Sequence, residues 1–167
     1  YCLDNPEDVP FPQVLHIRWR RIEYYRNTNR DYEKALQMAQ ETLIQYQDRE
    51  EDWIDSELHG HFLRVYGSAA FSLERFPEAI EAFQKAKRIF FDLRKNYWNY
   101  RTENLIGYTY YRQGQFTAAE EAMERSREGL YRLLIYGRNL KALEYRQFFQ
   151  GLQLVLGNLA VVYSYLG

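Results

Sequence analysis

The stretch that decides the fold is residues 74–86, Glu74-Arg-Phe-Pro-Glu-Ala-Ile-Glu-Ala-Phe-Gln-Lys-Ala86. Its order of large and small side chains returns forty residues later, where the matching positions are Phe116, Ala119, Met123 and Ser126. Gly67 maps onto Gly107 at the same distance, and an earlier copy with Ala35 precedes Ala79 by 44 residues. A fixed period of this size is typical of helical repeats, in which each unit buries its apolar face against the next.

Composition limits the function classes. At 167 residues the chain is long enough for one sizeable core, and 46% hydrophobic with 27% charged residues is ordinary for a soluble protein. The 16 tyrosines suit half-buried groove walls, because the ring packs while the hydroxyl stays in water. A net charge of −1 argues against a whole-protein footprint for nucleic acid, although it leaves room for a local basic surface.

Several features predict a cytoplasmic chain. The single cysteine, Cys2, cannot form an internal disulfide, as is usual in a reducing compartment. Residues 1–12 are acidic and rich in proline, so we expect an extended lead-in rather than a secretory signal. The most apolar stretch, 152–166, is too short for a membrane span and contains polar residues. Residues 13–167 are predicted to form a single helical domain.

The remaining chain reads as helices throughout. After Gln13 the only proline is Pro77, and no stretch alternates as a strand would. We predict seven helices, at residues 13–28, 31–48, 51–74, 77–96, 98–113, 116–136 and 139–166. Asn29 or Asp31 is available as a helix cap, Pro77 suits a first turn, and Gly114 and Gly137 suit helix ends.

Small residues recur where paired helices must approach closely. Gly67 and Ala70 are expected to face Ala79, Phe83 and Ala86 on the next helix. Glycine inside a helix costs ~1 kcal/mol relative to alanine, so Gly67 and Gly107 need a packing reason. Close contact between antiparallel neighbours supplies that reason. The predicted fold is therefore an all-α solenoid of antiparallel helix pairs, about three and a half repeats long.

These residues resemble the tetratricopeptide repeat family, a helix–turn–helix unit of roughly 34 residues that stacks into a right-handed superhelix. Glu23 departs from the family pattern at a small position, and Phe91 and Tyr131 stand where the closing proline belongs. The longer period is similar to that of repeats in bacterial multidomain signal-transduction ATPases of the STAND type, kinesin light chains and peptide-sensing regulators. The non-Met start and the apolar end at 159–166 favour a segment of a larger protein.

No catalytic, metal or cofactor site is predicted. His59 and His61, with Asp55 and Glu57 nearby, are the nearest approach to metal ligands. On a helix, residues two apart point about 200° away from each other, so both imidazoles do not readily hold one ion. The acidic runs at 50–52 and 120–121 are typical of a helix start and a solvated face. We therefore do not expect an enzyme.

The candidate binding surface is a stripe on the first helix of each pair. Positions 61, 64, 65, 68 and 72 lie beside the packing face by helical spacing, and the same register applies to the other repeats. The predicted groove residues are Arg20, Arg21, Tyr24, Asn27, His61, Arg64, Ser68, Arg101, Asn104, Tyr108, Tyr111 and Arg112. Five are arginines and none is a carboxylate, which favours an acidic or phosphorylated partner. The alternative is a solvated face on which arginines happen to align.

The resemblance implies a protein-interaction or ligand-sensing scaffold that binds a polypeptide in its concave groove, within a larger signalling or regulatory protein. Two alternatives stay open: a peptide-responsive regulator in which Asn27 and Asn104 bond a peptide backbone, and nucleic-acid binding through arginine and tyrosine. The carboxylate clamp of the co-chaperone subgroup is not matched, because Tyr24 and Val65 replace its Asn. We also expect self-association through residues 150–167, with Leu154, Val155, Leu159, Val162 and Tyr163 uncovered.

Overall fold

The computed structural model describes residues 11–46, 56–137 and 141–167, and these residues form helices joined by short turns without any β-strand. The helices are α1 (Phe11–Tyr24, continued by a π-helical turn at Tyr25–Asn29), α2 (Tyr32–Gln45), α3 (Glu57–Ser72), α4 (Phe76–Asp92), α5 (Asn96–Arg112), α6 (Phe116–Tyr136) and α7 (Ala142–Leu166). The prediction of an all-α chain with seven helices is confirmed for this part of the chain.

The helix starts follow local capping chemistry. Asp31 caps α2 by accepting a hydrogen bond from the backbone N of Lys34 at 3.1 Å, and Ser56 caps α3 through His59 N at the same distance. Pro77 falls in the first turn of α4, as predicted. The start of α1 at Phe11 corrects the expectation that the lead-in extends to residue 12, because a proline is compatible with a first helical turn.

Some predictions fall on other parts of the chain. The lead-in at 1–10, the acidic run at 50–52, Asp55 and the predicted helix starts at 51 and 139 lie outside the described residues.

One turn geometry recurs along the solenoid. Glu74, Arg94 and Gly114 have left-handed backbone conformations, with φ of 60°, 55° and 74°. In each case the following backbone N–H donates to a carbonyl five residues back, at 2.7–2.9 Å (for example Arg75 N to Ala70 O). The turns after α3, α4 and α5 therefore close in the same way, although only Gly114 carries the residue type that this conformation favours.

The repeat contacts are conserved across the forty-residue period. An added Cβ at Gly67 would lie 2.8 Å from the Phe83 ring and 3.1 Å from Ala79 O. The equivalent atom at Gly107 would lie 2.7 Å from Met123 Cγ and 3.1 Å from Ala119 O. The helix pairs α3–α4 and α5–α6 thus approach closely at matching positions, which confirms the packing reason for both glycines.

The helices form two layers. Consecutive helices pack on each other along the whole series, and α1 also contacts α3 while α5 contacts α7. The inner layer is therefore α1, α3, α5 and α7, and the outer layer is α2, α4 and α6. Within the described residues, no helix is both long enough and apolar enough to cross a membrane.

Helix α7 is better covered than the sequence predicted. Val155, Leu159 and Val162 are fully buried in a cluster with Ala119, Met123 and Leu130 of α6. The expectation that these three would be uncovered is wrong, because one face of α7 packs on α5 and α6. Leu154 and Tyr163 lie on either side of that face and are exposed, as expected, although the Tyr163 hydroxyl donates to Glu124 of α6 at 2.7 Å.

Candidate functional site

The inner layer carries a mixed aromatic and cationic cluster at the level of Arg64. The His61 ring lies 4.7 Å from the Trp98 ring of α5 and 6.0 Å from the Trp19 ring of α1, measured between centroids. The Arg64 guanidinium lies 4.7 Å from the centre of the Trp98 ring, within cation–π distance. Side chains from three successive first helices therefore meet on one surface, as a stacked array requires.

Burial sets the protonation state of His61. Its pKa is lowered to about 4, mainly by burial and next by the positive charge of Arg64, with Glu57 opposing both effects. The imidazole is therefore neutral at pH 7, and its Nδ1 accepts a hydrogen bond from Arg64 Nη1 at 3.3 Å. This bond assigns the ring proton to Nε2, on the side of Glu57 Oε1 at 3.8 Å.

Arg64 is a half-buried cation whose Nε atom is fully buried, and it lies beside other cations. Burial, followed by the charge of Arg101, lowers the pKa of Arg64 to about 10, and Arg26 acts in the same direction. Glu23 opposes this shift. Arg64 stays protonated at neutral pH, yet its Nε is buried without a hydrogen-bond partner among the described residues. We call Arg26, Arg64, Arg101 and Glu23 the cationic cluster.

The π-helical turn shifts the register of α1. A π-turn accommodates one extra residue in a helix, so positions before it move by one relative to the other repeats. As a result, the residues of α1 and its π-turn that lie at the level of Arg64 are Trp19, Glu23 and Arg26. The sequence had predicted the residues that follow each of them, Arg20, Tyr24 and Asn27. Glu23 also places a carboxylate on a surface where the sequence predicted none.

The four groove residues predicted in α1 and its π-turn are not gathered at the cluster. Arg21 lies toward α2, where it and Lys34 lower the pKa of Tyr25. Arg20 and Tyr24 are exposed, and Asn27 donates to Glu23 Oε2 at 2.5 Å. Only Asn27 therefore touches the cationic cluster, by way of Glu23.

The prediction fits α3 and α5 better. His61, Arg64 and Ser68 are half-buried on α3, whereas Val65 of the same stripe is only 4% exposed and belongs to the core. On α5, Asn104 is 1% exposed and its Oδ1 accepts a hydrogen bond from Asn158 Nδ2 of α7 at 3.2 Å. The sequence analysis missed Asn158, because it treated α7 as an uncovered end instead of an inner-layer helix.

A second group lies at the far end of α3 and α5. Tyr108 stacks on Tyr111 at 5.8 Å and lies 5.5 Å from Phe71, while Tyr111 also meets Tyr165 of α7 at 5.8 Å. Arg112 lies 5.4 Å from the Phe71 ring and forms an ion pair with Glu74 at 3.0 Å. Two of the three tyrosines predicted to wall the groove, Tyr108 and Tyr111, thus lie together here with Arg112 at the rim, whereas the third, Tyr24, is exposed on α1.

The outer side of the fold carries a cleft of a different kind. On the outer side, α2 and α4 enclose an open cleft of about 780 Å³ lined by apolar residues such as Leu43 and Ile89 and by charged residues such as Lys85 and Glu81. Across residues 11–46, 56–137 and 141–167, no three His, Cys, Asp or Glu side chains meet as a metal site would require.

Two family models match the sequence of this chain. One model of the tetratricopeptide repeat matches residues 23–90, and a second matches residues 104–126, which together make up more than half of the chain. The chain belongs to the tetratricopeptide repeat family. Tetratricopeptide repeats are generally protein-interaction scaffolds, and their fold is typically not enzymatic. No curated protein matches the chain.

Solved tetratricopeptide-like structures share the architecture. Nearly identical repeats assigned to a kinesin light chain of Podosopora anserina superpose with a TM-score of 0.58 at 11% identity, covering 94% of this chain and 98% of theirs. A single-residue variant of that protein gives the same values. At this identity the likeness shows the fold, and the partner has to be argued from the residues themselves.

Proposed function

We propose that the inner surface of this tetratricopeptide repeat domain binds an acidic polypeptide. The observation that carries the proposal is the cationic cluster, in which the Arg64 guanidinium lies 4.7 Å from the Trp98 ring of α5 and is influenced by the charges of Arg101 and Arg26 as well as by Glu23. The chain as a whole has a net charge of −1, so this excess of positive charge is local. A local potential of this kind attracts an oppositely charged partner and orients it before contact.

The rest of the inner surface suits a peptide chain. Asn158 is half-buried at the floor between α5 and α7, where its Nδ2 donates to the buried Asn104 beneath it, and an amide side chain can both donate to and accept from a peptide backbone. Tyr108 and Tyr111 add half-buried rings, which hold a chain by apolar contact while their hydroxyls stay in water. The alternative of a peptide-responsive regulator, in which Asn27 and Asn104 bond a peptide backbone, is less well supported, because Asn104 is 1% exposed and Asn27 donates to Glu23.

Three finer predictions remain part of this proposal. They are a role within a signalling or regulatory protein similar to the STAND ATPases, a cytoplasmic location, and self-association through residues 150–167. Exposed apolar side chains on the outer face of α7, including Leu154, Leu156 and Val161, support self-association. Nucleic acid is the competing polyanion, since arginine and tyrosine also bind single strands, but the net charge of the chain disfavours it.

Blocking the groove tests the proposal. Peptides selected from a random library should bind the chain, with acidic sequences enriched, and their affinity should fall as salt rises. Ser68→Phe places a large ring on the half-buried inner surface and should weaken binding about tenfold or more, since a bound chain would lose its contacts there. Gln84→Phe is the matched control, because Gln84 is exposed on the outer helix α4.

Calorimetry of each variant with the selected peptides gives the affinities. Equal affinity of Ser68→Phe and Gln84→Phe would show that the inner surface is not the binding site. Selection of basic peptides, or tighter binding of a short single-stranded oligonucleotide, would contradict the acidic polypeptide partner.

A further inference from the structure

We infer that Arg64 and Arg101 form a subsite for one anionic group of the bound polypeptide, a carboxylate or a phosphate ester, beside the Trp98 ring. This inference rests on the proposed function, because the anion is delivered by a chain lying on the inner surface. It goes further by separating these two arginines from the other three that the sequence placed in the groove.

Arg64 makes few polar contacts with the described residues. Its contacts are one hydrogen bond to a neutral imidazole and the face of Trp98. Among the described residues it has no carboxylate partner, and its Nε is buried without a hydrogen bond. A buried cation is costly unless it is paired and hydrogen-bonded. Arg64 therefore has both charge and donor capacity available for an anion.

Glu23 is the carboxylate whose charge acts on Arg64. Glu23 affects the pKa of Arg64, yet its oxygens are bonded by Arg26 Nη2 at 3.0 and 3.2 Å and by Asn27 Nδ2 at 2.5 Å. Its charge is thus directed to Arg26 of its own helix and not to Arg64. Glu23 and Arg26 neutralise each other and leave the charges of Arg64 and Arg101 uncompensated.

Arg101 is held at the junction of α5 and α7. It lies on α5, and its Cδ would be 3.3 Å from a Cβ built on Gly151 of α7. The stem of Arg101 is therefore held between two inner helices, one helical turn after Trp98, whose ring lies 4.7 Å from the Arg64 guanidinium. No ion pair of Arg101 occurs within the described residues, in contrast to Arg112, which is bound to Glu74.

Two neighbouring guanidinium groups repel each other, and an anion between them removes that repulsion. Guanidinium donors match the geometry of carboxylate and phosphate oxygens, so one anion can bridge both. Trp19 Nε1 is a further buried donor without a partner among the described residues, on a ring that contacts His61. Together these groups form a polar floor that has more hydrogen-bond donors than acceptors. An anion is the type of ligand that such a floor binds.

Three matched hexapeptides test the subsite: hexaglutamate, hexaglutamine, and hexaglutamine with one phosphoserine. The background is Trp53→Phe, which leaves Trp19 and Trp98 as the only tryptophans, so their fluorescence reports on the cluster. Hexathymidylate is included as the nucleic-acid arm. Either anionic peptide should change the fluorescence, and comparing the two identifies the source of the anion. Hexaglutamine should have no effect.

The variants Arg64→Gln and Arg101→Gln should each weaken binding of the anionic peptide about tenfold or more, as expected for lost hydrogen bonds to a charged group. Arg20→Gln removes the same charge from an exposed position on α1 and should change the affinity by less than about twofold. Glu23→Gln should strengthen binding, because it removes the carboxylate that neutralises Arg26 and so adds to the positive charge beside the subsite.

The inference and the proposed function can fail separately. If Arg64→Gln and Arg20→Gln weaken the anionic peptide equally, while Ser68→Phe still abolishes binding of the library peptides, the groove stands and the subsite is overturned. If Arg64→Gln also lowers the melting temperature well below that of Arg101→Gln, its role is to hold Trp98, and the subsite is again overturned. Tighter binding of hexathymidylate than of either peptide contradicts a polypeptide ligand.

Discussion

Gly107→Ala is the substitution that tests the repeat architecture most directly. A methyl group at this position would lie 2.7 Å from Met123 Cγ, 3.1 Å from Ala119 O and 3.2 Å from Met123 N. The Met123 side chain can move, but the two backbone atoms belong to α6 and move only if the helix pair separates. Overpacking of this kind costs about 1–3 kcal/mol, whereas alanine gains ~1 kcal/mol over glycine in a helix interior. We expect a net loss of up to about 2 kcal/mol.

Gly157→Ala is the matched control. Gly157 lies inside α7, and an added Cβ there would have no heavy atom within 4 Å. Only the helix-propensity gain remains, so this variant should be more stable by about 0.5–1 kcal/mol. Urea unfolding followed by circular dichroism measures both, and equal m-values would show that the two variants unfold a similar surface. A Gly107→Ala variant as stable as Gly157→Ala would refute the close α5–α6 contact.

Three further predictions concern single side chains and α7. His61 has a pKa of about 4 in the folded chain against 6.5 unfolded, so its contribution to the free energy of unfolding is complete above pH 6.5 and is lost as the pH falls toward 4. His61→Phe should reduce this loss of stability by up to ~3 kcal/mol, measured by urea titrations across that pH range. An unchanged dependence of stability on pH would contradict the prediction. Glu103→Ala should destabilise by about 1–3 kcal/mol, because the 3% exposed carboxylate pairs with Lys87 and Arg125; a melting temperature equal to the parent's would argue against this. Leu156→Glu should abolish the predicted self-association in light scattering; a parent chain that stays monomeric at high concentration would contradict it.

The fold could be predicted because its contacts are periodic. Gly67 with Phe83 and Gly107 with Met123 are the same contact in two repeats, and a small residue opposite a large one is readable from sequence. The turns were harder to predict. Glu74 adopts the same left-handed conformation as Gly114, and a glutamate gives no local sign of it.

The inner surface of α1 was mispredicted because the alignment of repeats took no account of the π-turn, which adds one residue at the end of α1. The offset of 44 residues, taken from α2 and α4, holds only after that turn. One signal was present in the sequence. The same offset aligned Glu23 with Gly67, a position at which two helix backbones come into close contact. A carboxylate does not fit such a contact. Moving α1 by one residue resolves this conflict and puts Ile22 in the core.

The residues of the binding surface differ from one repeat to the next, so this surface carries no linear sequence motif. Under the forty-residue period the packing positions keep their character, whereas the inner positions change: Arg64 corresponds to Asn104, and His61 corresponds to Arg101. The two arginines thus occupy different positions of their repeats, and neither helix holds both. Their charges come together only because α3 and α5 lie side by side with Trp98 between them. The anion subsite is therefore a property of the junction between two repeats.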